Sequence, residues 1–419
     1  MMYNTIFVVI IAVLVFGYIL ERFLDTLNLK HSLPELPEEL SGIFDSEEYK
    51  RSQHYKRDNT RFSFLTSSIS LVVMLLLFFL GGFGWLDQWI ATVTSTYIVH
   101  VLLFFGFLAL VSDILTTPFA LYNTFVIEER YGFNRTNVKT FILDKIKGWI
   151  LGAIIGGGLL ALITWIYMLT GPWFWLIALG VLTFFSLFML MFYSNLIVPL
   201  FNKQTPLEEG SLRKKIEEFS EGVGFRLNNI FVMDGSKRSS KANAYFTGLG
   251  PKKRIVLFDT LINDLEEEEI VAVLAHEVGH YKKKHTTWGM VLSTLQSAIT
   301  LYLFSLFVGK DSFAVALGGE AASFHLGLIA FGILYSPISM LIGLGTNLIS
   351  RHNEYQADRY AREHFAGEPL VTSLKKLSKN NLSNLTPHPT YVFFHYSHPP
   401  LLQRIRALRS GPLDLNNQS

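Results

Sequence analysis

The chain has 419 residues, of which 50% are hydrophobic and only 17% are charged. Together with a mean hydropathy of +0.32, this composition excludes a water-soluble globular protein and indicates a membrane protein. The formal net charge of +2 offers no basic surface for nucleic acid, and we expect no nucleic-acid partner. Twelve histidines without any cysteine exclude a disulfide scaffold and a thiolate metal site.

Seven apolar runs are long enough for membrane-spanning helices, which need about 20 residues each. The first run follows no basic segment and precedes no small-residue cleavage site, so we expect a retained anchor rather than a cleaved signal peptide. The predicted spans cover residues 5–20, 63–83, 97–120, 149–169, 173–199, 288–308 and 326–349.

Lysine and arginine alternate between the connecting segments, and short loops that carry them are kept on the cytoplasmic side. Residues 21–62 carry seven of these side chains and residues 125–147 carry five, whereas residues 84–96 carry none and residues 309–325 carry only Lys310. This alternation places the N-terminus outside and the C-terminus in the cytoplasm. The two large polar segments, after the fifth and seventh spans, then lie together on the cytoplasmic side.

Polar side chains interrupt or end the third and fifth spans. Groups of this kind within a membrane usually face a water-filled cavity or a partner helix. Both alternatives fit the sequence, which therefore permits a chamber without requiring one. These residues are His100, Ser112, Asp113, Thr116, Thr117, Pro118, Tyr122, Asn123, Tyr193, Ser194 and Asn195.

A β-hairpin is predicted in the first polar segment. Residues 254–261, "RIVLFDTL", are typical of a strand and follow "NAYFTGLGPKK", residues 243–253, whose glycines and Gly-Pro pair mark a turn. A free strand edge can bind an extended peptide through its backbone, although the hairpin could equally serve only to cap the helix that follows.

A metal-binding helix is predicted after the hairpin, in "LEEEEIVAVLAHEVGHYKKKH". We expect it to begin near residue 265, with Asp264 as the N-cap and Glu267 as its capping-box partner. His276 and His280 are four residues apart and share one face, and Glu277 lies beside them. This H-E-x-x-H pattern is typical of two zinc ligands with a general base, although two histidines can also be satisfied within a core.

The third metal ligand is expected in "RHNEYQADRYA", residues 351–361, directly after the seventh span. Glu354 and Asp358 are four residues apart on a predicted helix, so one carboxylate could bind the metal and the other could orient a ligand histidine. A carboxylate pair at this spacing can also be a solvated face. The extended metzincin pattern is excluded, because Lys283 and Thr286 occupy the positions of its glycine and third histidine.

Five stretches of the sequence, in the same order, closely resemble the Ste24 family of integral-membrane CAAX prenyl proteases. The resemblance covers almost the whole chain, including the number of spans. It implies a mainly α-helical fold in which seven transmembrane helices form a barrel around a chamber, with a gluzincin-type protease domain that contains a small β-sheet. The stretches are "EERYGFNRTNVKTFILDKIKG", "KANAYFTGLGPKKRIVLFDTL", "VLAHEVGHYKKKH", "NEYQADRYA" and "YSHPPLLQRI".

The resemblance also implies roles for individual residues. The zinc ligands would be His276, His280 and Glu354, and Glu277 would be the catalytic base. Asp358 would lie behind the ligands as a second carboxylate. His398 would lie beside the scissile bond, and both His398 and Asn243 would take part in catalysis. The strand that pairs with the substrate backbone would consist of Asn243, Ala244, Tyr245 and Phe246.

The function expected from these observations is zinc-dependent hydrolysis of peptide bonds near the C-terminus of peptide or protein substrates, prenylated or not, with one Zn²⁺ per chain. Three alternatives remain. A quality-control protease of the HtpX type would have about four spans, and an intramembrane protease of the site-2 type would bury its zinc helix in lipid. A metal-binding transporter or scaffold would leave Glu277 without a role.

Four segments follow from this organisation: residues 1–199 with spans one to five, residues 200–287 with the edge strand and the metal helix, residues 288–349 with spans six and seven, and residues 350–419 with the third ligand. We expect a multi-pass protein of the lipid bilayer whose active site faces the cytoplasm. Short loops and the lack of a retrieval signal indicate a prokaryotic cell membrane, with the endoplasmic reticulum as the alternative.

The topology can be tested with reporter domains. A reporter fused after residue 419 and one inserted between residues 205 and 240 should both be cytoplasmic, because of the lysine and arginine alternation. An external signal from either reporter would contradict this topology, because the two polar segments that carry the expected metal ligands would then lie on opposite sides of the membrane.

Overall fold

The protein is described by a computed structural model that covers residues 3–31, 38–40, 44–225, 230–247 and 254–410. Most of these residues are helical, as expected. The helices are α1 Thr5–Lys30, α2 Ser46–Phe79, α3 Gly82–Val93, α4 Tyr97–Tyr122, α5 Val138–Leu151, α6 Gly158–Thr170, α7 Phe174–Leu196, α8 Val198–Phe201, α9 Ser211–Gly222, α10 Asp259–Asp264, α11 Glu267–Lys282, α12 His285–Phe307, α13 Asp311–Ala316, α14 Phe324–His364, α15 Gly367–Asn380, α16 Pro389–His395 and α17 Leu401–Ser410.

Six helical stretches among the described residues are long and apolar enough to cross a membrane. The fourth, Val138–Phe201, has 64 residues and contains two of the seven predicted spans. It is broken by a 3₁₀ turn, Gly171–Trp173, where Gly171 has a positive φ of 52°. The helices on either side of this turn pack together, with the rings of Tyr167 and Phe174 5.5 Å apart. Each of the seven predicted spans thus overlaps helical structure, although the second runs past the end of α2 into α3. The count of seven membrane helices stays a prediction.

The apolar side chains of these stretches point mainly away from the protein. In α12, for example, only 6% of the most apolar window is buried within the molecule. Helices can expose such surface when lipid surrounds them, because all backbone hydrogen bonds are satisfied within the helix. Asp113 of α4 is paired with Lys145 of α5 at 2.8 Å, so this polar group within the third span has a partner helix.

The helix α14 is continuous over 41 residues. It begins before the seventh predicted span, passes Pro337 and continues through "RHNEYQADRYA" without a break. A single rigid element thus joins the membrane region to the candidate ligands Glu354 and Asp358. The division of the chain at residues 199, 287 and 349 remains a prediction, and residue 349 lies inside this helix.

A four-stranded sheet packs beside the metal helix, in the order β1-β2-β4-β3. The strand β4 pairs in parallel with β2 and antiparallel with β3, as expected for the hairpin. The predicted strand 254–261 was too long, because β4 ends at Phe258 and Asp259, Thr260 and Leu261 begin α10. The turn between them, residues 248–253, lies outside the described residues. In the described part of the chain, β3 is an edge strand. The strands are β1 Gln204–Pro206, β2 Ile230–Met233, β3 Ala244–Thr247 and β4 Arg254–Phe258.

The predicted start of the metal helix was wrong by two residues. Its N-cap is Glu266, whose backbone N–H donates to Oε2 of Glu269 at 2.9 Å in a capping box. Asp264 does not cap this helix, because it is the last residue of the short helix α10. The extended Leu265 separates the two helices and is buried in the core that α11 shares with the sheet, α9, α15 and α17.

Candidate metal centre

Two imidazoles of α11 face α14 where the two helices approach most closely. A Cβ atom added at Gly279 would lie 3.0 Å from both Cα of Ala357 and Cβ of Tyr360. The glycine within "HEVGH" therefore permits a helix separation that a larger residue would increase. This close approach brings His276 and His280 against the carboxylate of Glu354.

The three side chains form a compact donor set. Nε2 of His276 and Nε2 of His280 are 3.1 Å apart. The carboxylate oxygens of Glu354 lie 3.5 Å from the first nitrogen and 3.3 Å from the second. Ligand atoms about 2.05 Å from a tetrahedral zinc ion are roughly 3.3 Å from one another, so these separations suit one zinc ion.

The oxygen Oε2 of Glu354 provides a second test of the fit. It is buried, and it accepts no hydrogen bond from any residue that the structure describes. An unsatisfied buried carboxylate oxygen is costly unless a cation or donor compensates it. The residues present therefore fit a metal ion.

A carboxylate and a guanidinium lie behind His276. Oδ1 of Asp358 is 2.8 Å from Nδ1 of His276, so this ring presents Nε2 to the metal position. Arg404 of α17 donates to both oxygens of Asp358, at 2.8 and 2.6 Å, and its Nη1 lies 3.4 Å from Oε2 of Glu354. This contact supports the predicted role of Asp358, which stays a prediction. Sequence reasoning missed Arg404, although "YSHPPLLQRI" contains it.

The electrostatics of the site favour a cation. Burial opposes the protonation of His276, but hydrogen bonds to Asp358 and Glu354 outweigh burial and raise the pKa of His276 to about 9. Burial likewise lowers the pKa of Arg404. The nearby carboxylates, mainly that of Asp358, have a larger effect in the opposite direction, so the pKa of Arg404 is raised. Positive charge is therefore stabilised at the point where the ligand atoms converge.

His280 is held by a different partner, which sequence reasoning also missed. With Nε2 of His280 free for a metal, its Nδ1 carries the proton and donates to Nδ1 of His285 at 3.0 Å. His285 then donates through Nε2 to Oε1 of Gln356 at 3.1 Å, and the amide of Gln356 donates to Nε2 of His352 at 2.8 Å. The histidine that ends "GHYKKKH" was a visible signal for this contact.

The carboxylate of Glu277 lines a cavity of about 410 Å³ together with His280 and His285. Residues of α12 and α14 form the opposite wall, including Thr286, Ser293 and Asn353. The side chain is only partly buried, so a substrate and a water molecule could reach it. This position suits the predicted role of Glu277 as a base.

The predicted substrate strand is present, and the side chains of Ala244 and Tyr245 face the protein. Oδ1 of the exposed Asn243 accepts from the backbone N–H of Ala244 at 2.8 Å. Ala244 packs against the core, and the hydroxyl of Tyr245 lies 3.3 Å from Oγ of Ser194 in α7. The side chain of Phe246 lies outside the described residues. Only the free backbone edge of β3 is therefore available to a peptide in the described part of the chain.

His398 lies at the edge of the metal centre. Its Nε2 is 3.3 Å from Oε1 of Glu354, and its side chain is 64% exposed. Nδ1 of His398 contacts Oγ of Ser397 at 3.0 Å, and α17 begins just after the two prolines that follow. The structure thus brings His398 to the three candidate ligands, whereas none of the contacts among the described side chains joins Asn243 to them.

Two family models match the chain. Residues 25–203 match the model described as CAAX prenyl protease N-terminal, five membrane helices. Residues 206–411 match peptidase family M48. The two matches together cover almost all of the chain, including every residue of the candidate metal centre.

Several characterised relatives are similar over nearly their whole length. The CAAX prenyl protease 1 homolog of Arabidopsis thaliana is 37% identical over 408 residues, which cover 95% of this chain and 96% of that protein. The homolog of Homo sapiens is 33% identical and covers 95% of each chain. The crystal structure of S. mikatae Ste24p superposes with a TM-score of 0.91 at 34% identity, covering 97% of this chain and 99% of that chain.

Replacement of Arg404 tests the charge balance behind the ligands. Arg404→Leu leaves the buried carboxylates of Asp358 and Glu354 without their cation, so the free energy of unfolding without added metal should fall by about 3–5 kcal/mol. Thermal unfolding in detergent measures this loss as a lower Tm. Arg409→Ala is the matched control, since Arg409 forms an exposed ion pair with Glu368 that should contribute only about 0–1 kcal/mol. Equal Tm values for the two variants would contradict the role of Arg404.

Proposed function

Since the chain belongs to peptidase family M48 and is a multi-pass membrane metalloprotease of the CAAX prenyl protease 1 type, we propose that it hydrolyses peptide bonds near the C-terminus of its substrates with one zinc ion. His276, His280 and Glu354 would hold the ion. One observation carries this assignment: three ligand atoms converge at zinc-like separations while an oxygen of Glu354 has no hydrogen-bond partner among the described residues.

The chemistry divides between the ion and the residues around it. When bound, zinc acidifies a water molecule and polarises the scissile carbonyl. Glu277 takes the proton from the attacking water and returns it to the leaving amine, as a general base and then a general acid. Its place in the wall of the cavity supports this role.

The surrounding residues hold the imidazoles in the required tautomer. Asp358 accepts from Nδ1 of His276, and Arg404 keeps that carboxylate ionised and in position. For His280, Nδ1 of His285 accepts the hydrogen bond from Nδ1, so an imidazole takes the place of a carboxylate. Partners of this kind fix the ring orientation of a metal ligand and tune its affinity.

His398 and Asn243 would act on the substrate. His398 is exposed, lies beside Glu354 and is restricted by the prolines that follow it, so it can donate to the oxyanion of the tetrahedral intermediate. Asn243 precedes the edge strand β3, where it could align the substrate. Backbone pairing with β3 over Ala244, Tyr245 and Phe246 would bind an extended peptide without demanding a sequence.

The membrane region would surround the substrate. We count seven spans by dividing the fourth apolar stretch at Gly171, and we propose that they enclose a chamber. The cavity at Glu277 adjoins a second one, of about 290 Å³, between α7 and α12, because both are lined by Thr286, Gly289 and Ser293. A connected cavity of this kind could admit a lipidated or an unmodified C-terminus.

The orientation proposed from the charge alternation places the active site at the cytoplasmic face, and a prokaryotic cell membrane remains the proposed location, with the endoplasmic reticulum as the alternative. The alternatives of an HtpX-type quality-control protease and of a transporter or scaffold are not favoured, because the chain matches CAAX prenyl protease 1 homologs over nearly its full length.

Glu277→Gln tests the mechanism. The amide keeps the shape of the side chain but cannot take a proton, so turnover should fall at least 10²-fold while zinc content and Tm stay at the parent values. Cleavage of peptides ending in a CAAX sequence, with and without a farnesyl group and with and without chelator, is measured by mass spectrometry. Near-parent turnover by the variant would contradict the role of Glu277, and cleavage that resists the chelator would contradict metal dependence.

His398→Ala tests the oxyanion role. It should lower kcat by roughly 10- to 10³-fold with a much smaller change in KM, because the interaction forms mainly in the transition state. Zinc content is measured alongside. Loss of zinc would make His398 a ligand or a support for Glu354, and parent-like kcat would reduce it to a loop residue.

A further inference from the structure

A second cluster of imidazole and carboxylate groups lies far from the candidate metal centre. It joins Asp87 of α3, His100 of α4 and His325 in the first turn of α14, with one ligand atom from each within 4.8 Å of the others. Glu354 lies about 30 residues further along α14, or roughly 45 Å at 1.5 Å per residue. The two clusters are therefore separate and occupy opposite ends of one membrane helix.

The contacts within this cluster centre on one carboxylate oxygen. Oδ1 of Asp87 lies 2.7 Å from Nε2 of His100 and 2.8 Å from Nε2 of His325. His325 is 1% exposed, and its Nδ1 has no hydrogen-bond partner in the described part of the chain. A buried imidazole of this kind at the end of a membrane helix is costly and usually has a function.

The carboxylate is available as a ligand. The side chain of Asp87 is 21% exposed, so an ion can reach its oxygens. Its charge is shared by imidazoles from two other elements. Two imidazoles and one carboxylate are the donor set that zinc and its neighbours in the first transition row prefer.

We propose that Asp87, His100 and His325 bind one divalent first-row metal ion, of which Zn²⁺ is the representative, and that this ion fastens α3 and α4 to the start of α14. The imidazoles must withdraw from Asp87 by roughly 0.5 Å to reach the spacing of zinc ligands, which small side-chain rotations provide. The rival arrangement is a hydrogen-bonded triad that holds no ion.

The packing around the cluster explains what such an ion would stabilise. The backbone N–H of Gly84 in α3 donates to the carbonyl of Leu317 at 2.9 Å, and a Cβ atom on Gly84 would lie 2.0 Å from the carbonyl oxygen of Gly318. The helix α3 is thus seated directly on the turn that leads into α14. A metal ion at Asp87 would fasten the same helix one turn further on.

The zinc content of the purified protein distinguishes a metal site from a hydrogen-bonded triad that holds no ion. The purified full-length protein, equilibrated with zinc chloride and dialysed against metal-free buffer, should retain about two zinc ions per chain by mass spectrometry of the elements. His325→Ala, the near-isosteric Asp87→Asn and the catalytic-site variant His276→Ala should each retain about one. The double variant His276→Ala/Asp87→Asn should retain about none. The matched control His54→Ala, at an exposed histidine of α2, should keep both ions.

A stability measurement gives an independent readout. In the His276→Ala background, added zinc should raise Tm, and Asp87→Asn should abolish that rise, because an ion that binds only the folded state stabilises it. One ion in the parent protein and none in His276→Ala would overturn the proposal, as would a rise in Tm that survives Asp87→Asn. An error in the catalytic assignment would look different: His276→Ala would retain as much zinc as the parent, while His325→Ala would still lose one ion.

Discussion

The close approach of α11 to α14 at Gly279 is the contact on which the metal centre depends. Each of these helices carries part of the donor set, and their close spacing depends on a glycine, because a Cβ atom at Gly279 would lie 3.0 Å from Cα of Ala357. Because α14 continues into the membrane region, Glu354 is fixed on a single continuous helix that is buried within the protein near both of its ends. A site on rigid helices holds its geometry more closely than one on loops. The membrane helix is therefore part of the catalytic architecture as well as its anchor.

Charge balance decides how the two carboxylates of α14 divide their roles. Asp358 receives two hydrogen bonds from Arg404 and one contact from Nδ1 of His276, so its charge is compensated by the protein. Glu354 has weaker contacts, and its Oε2 accepts no hydrogen bond from the described residues. Oε2 of Glu354 has the guanidinium of Arg404 only at 3.4 Å, and a buried carboxylate so weakly paired favours a further cation. The different surroundings of two residues one turn apart thus support the proposal that Glu354 is the oxygen donor and Asp358 its support.

The sequence predicted elements whose signal is local, and it missed contacts that depend on the fold. The predicted apolar runs overlap helices and the hairpin strands pair with each other, because apolar runs and turn residues act over short distances. The predicted start of α11 was wrong because Asp264 ends the separate short helix α10. Arg404 and Gln356 could not be found, since their contacts with Asp358 and His285 join residues 46 and 71 positions apart. Asp87, a partner of His100, is only 13 residues away, but it lies on a neighbouring helix whose facing side the sequence does not specify. The histidine pattern predicts that metal ligands are present. The side chains that orient those ligands can be identified only from the packing of the folded chain.

Peptide binding at the edge of β3, as proposed, would separate affinity from selectivity. Ala244 packs in the core and Tyr245 contacts Ser194, so these two side chains are engaged inward and pairing at this edge would recognise the backbone of a substrate. Selection must then come from which chain ends can reach the cavity at Glu277. A second cavity between α7 and α12 shares Thr286, Gly289 and Ser293 with it and is also lined by Leu182 and Leu190. A cavity wall of mixed polarity suits a flexible peptide that carries an apolar group. Such a cavity would select substrates by whether a chain end can enter it and by the length of that end. We infer that substrate choice is set by the membrane helices, which would explain why a protease domain of this kind is built into a membrane region.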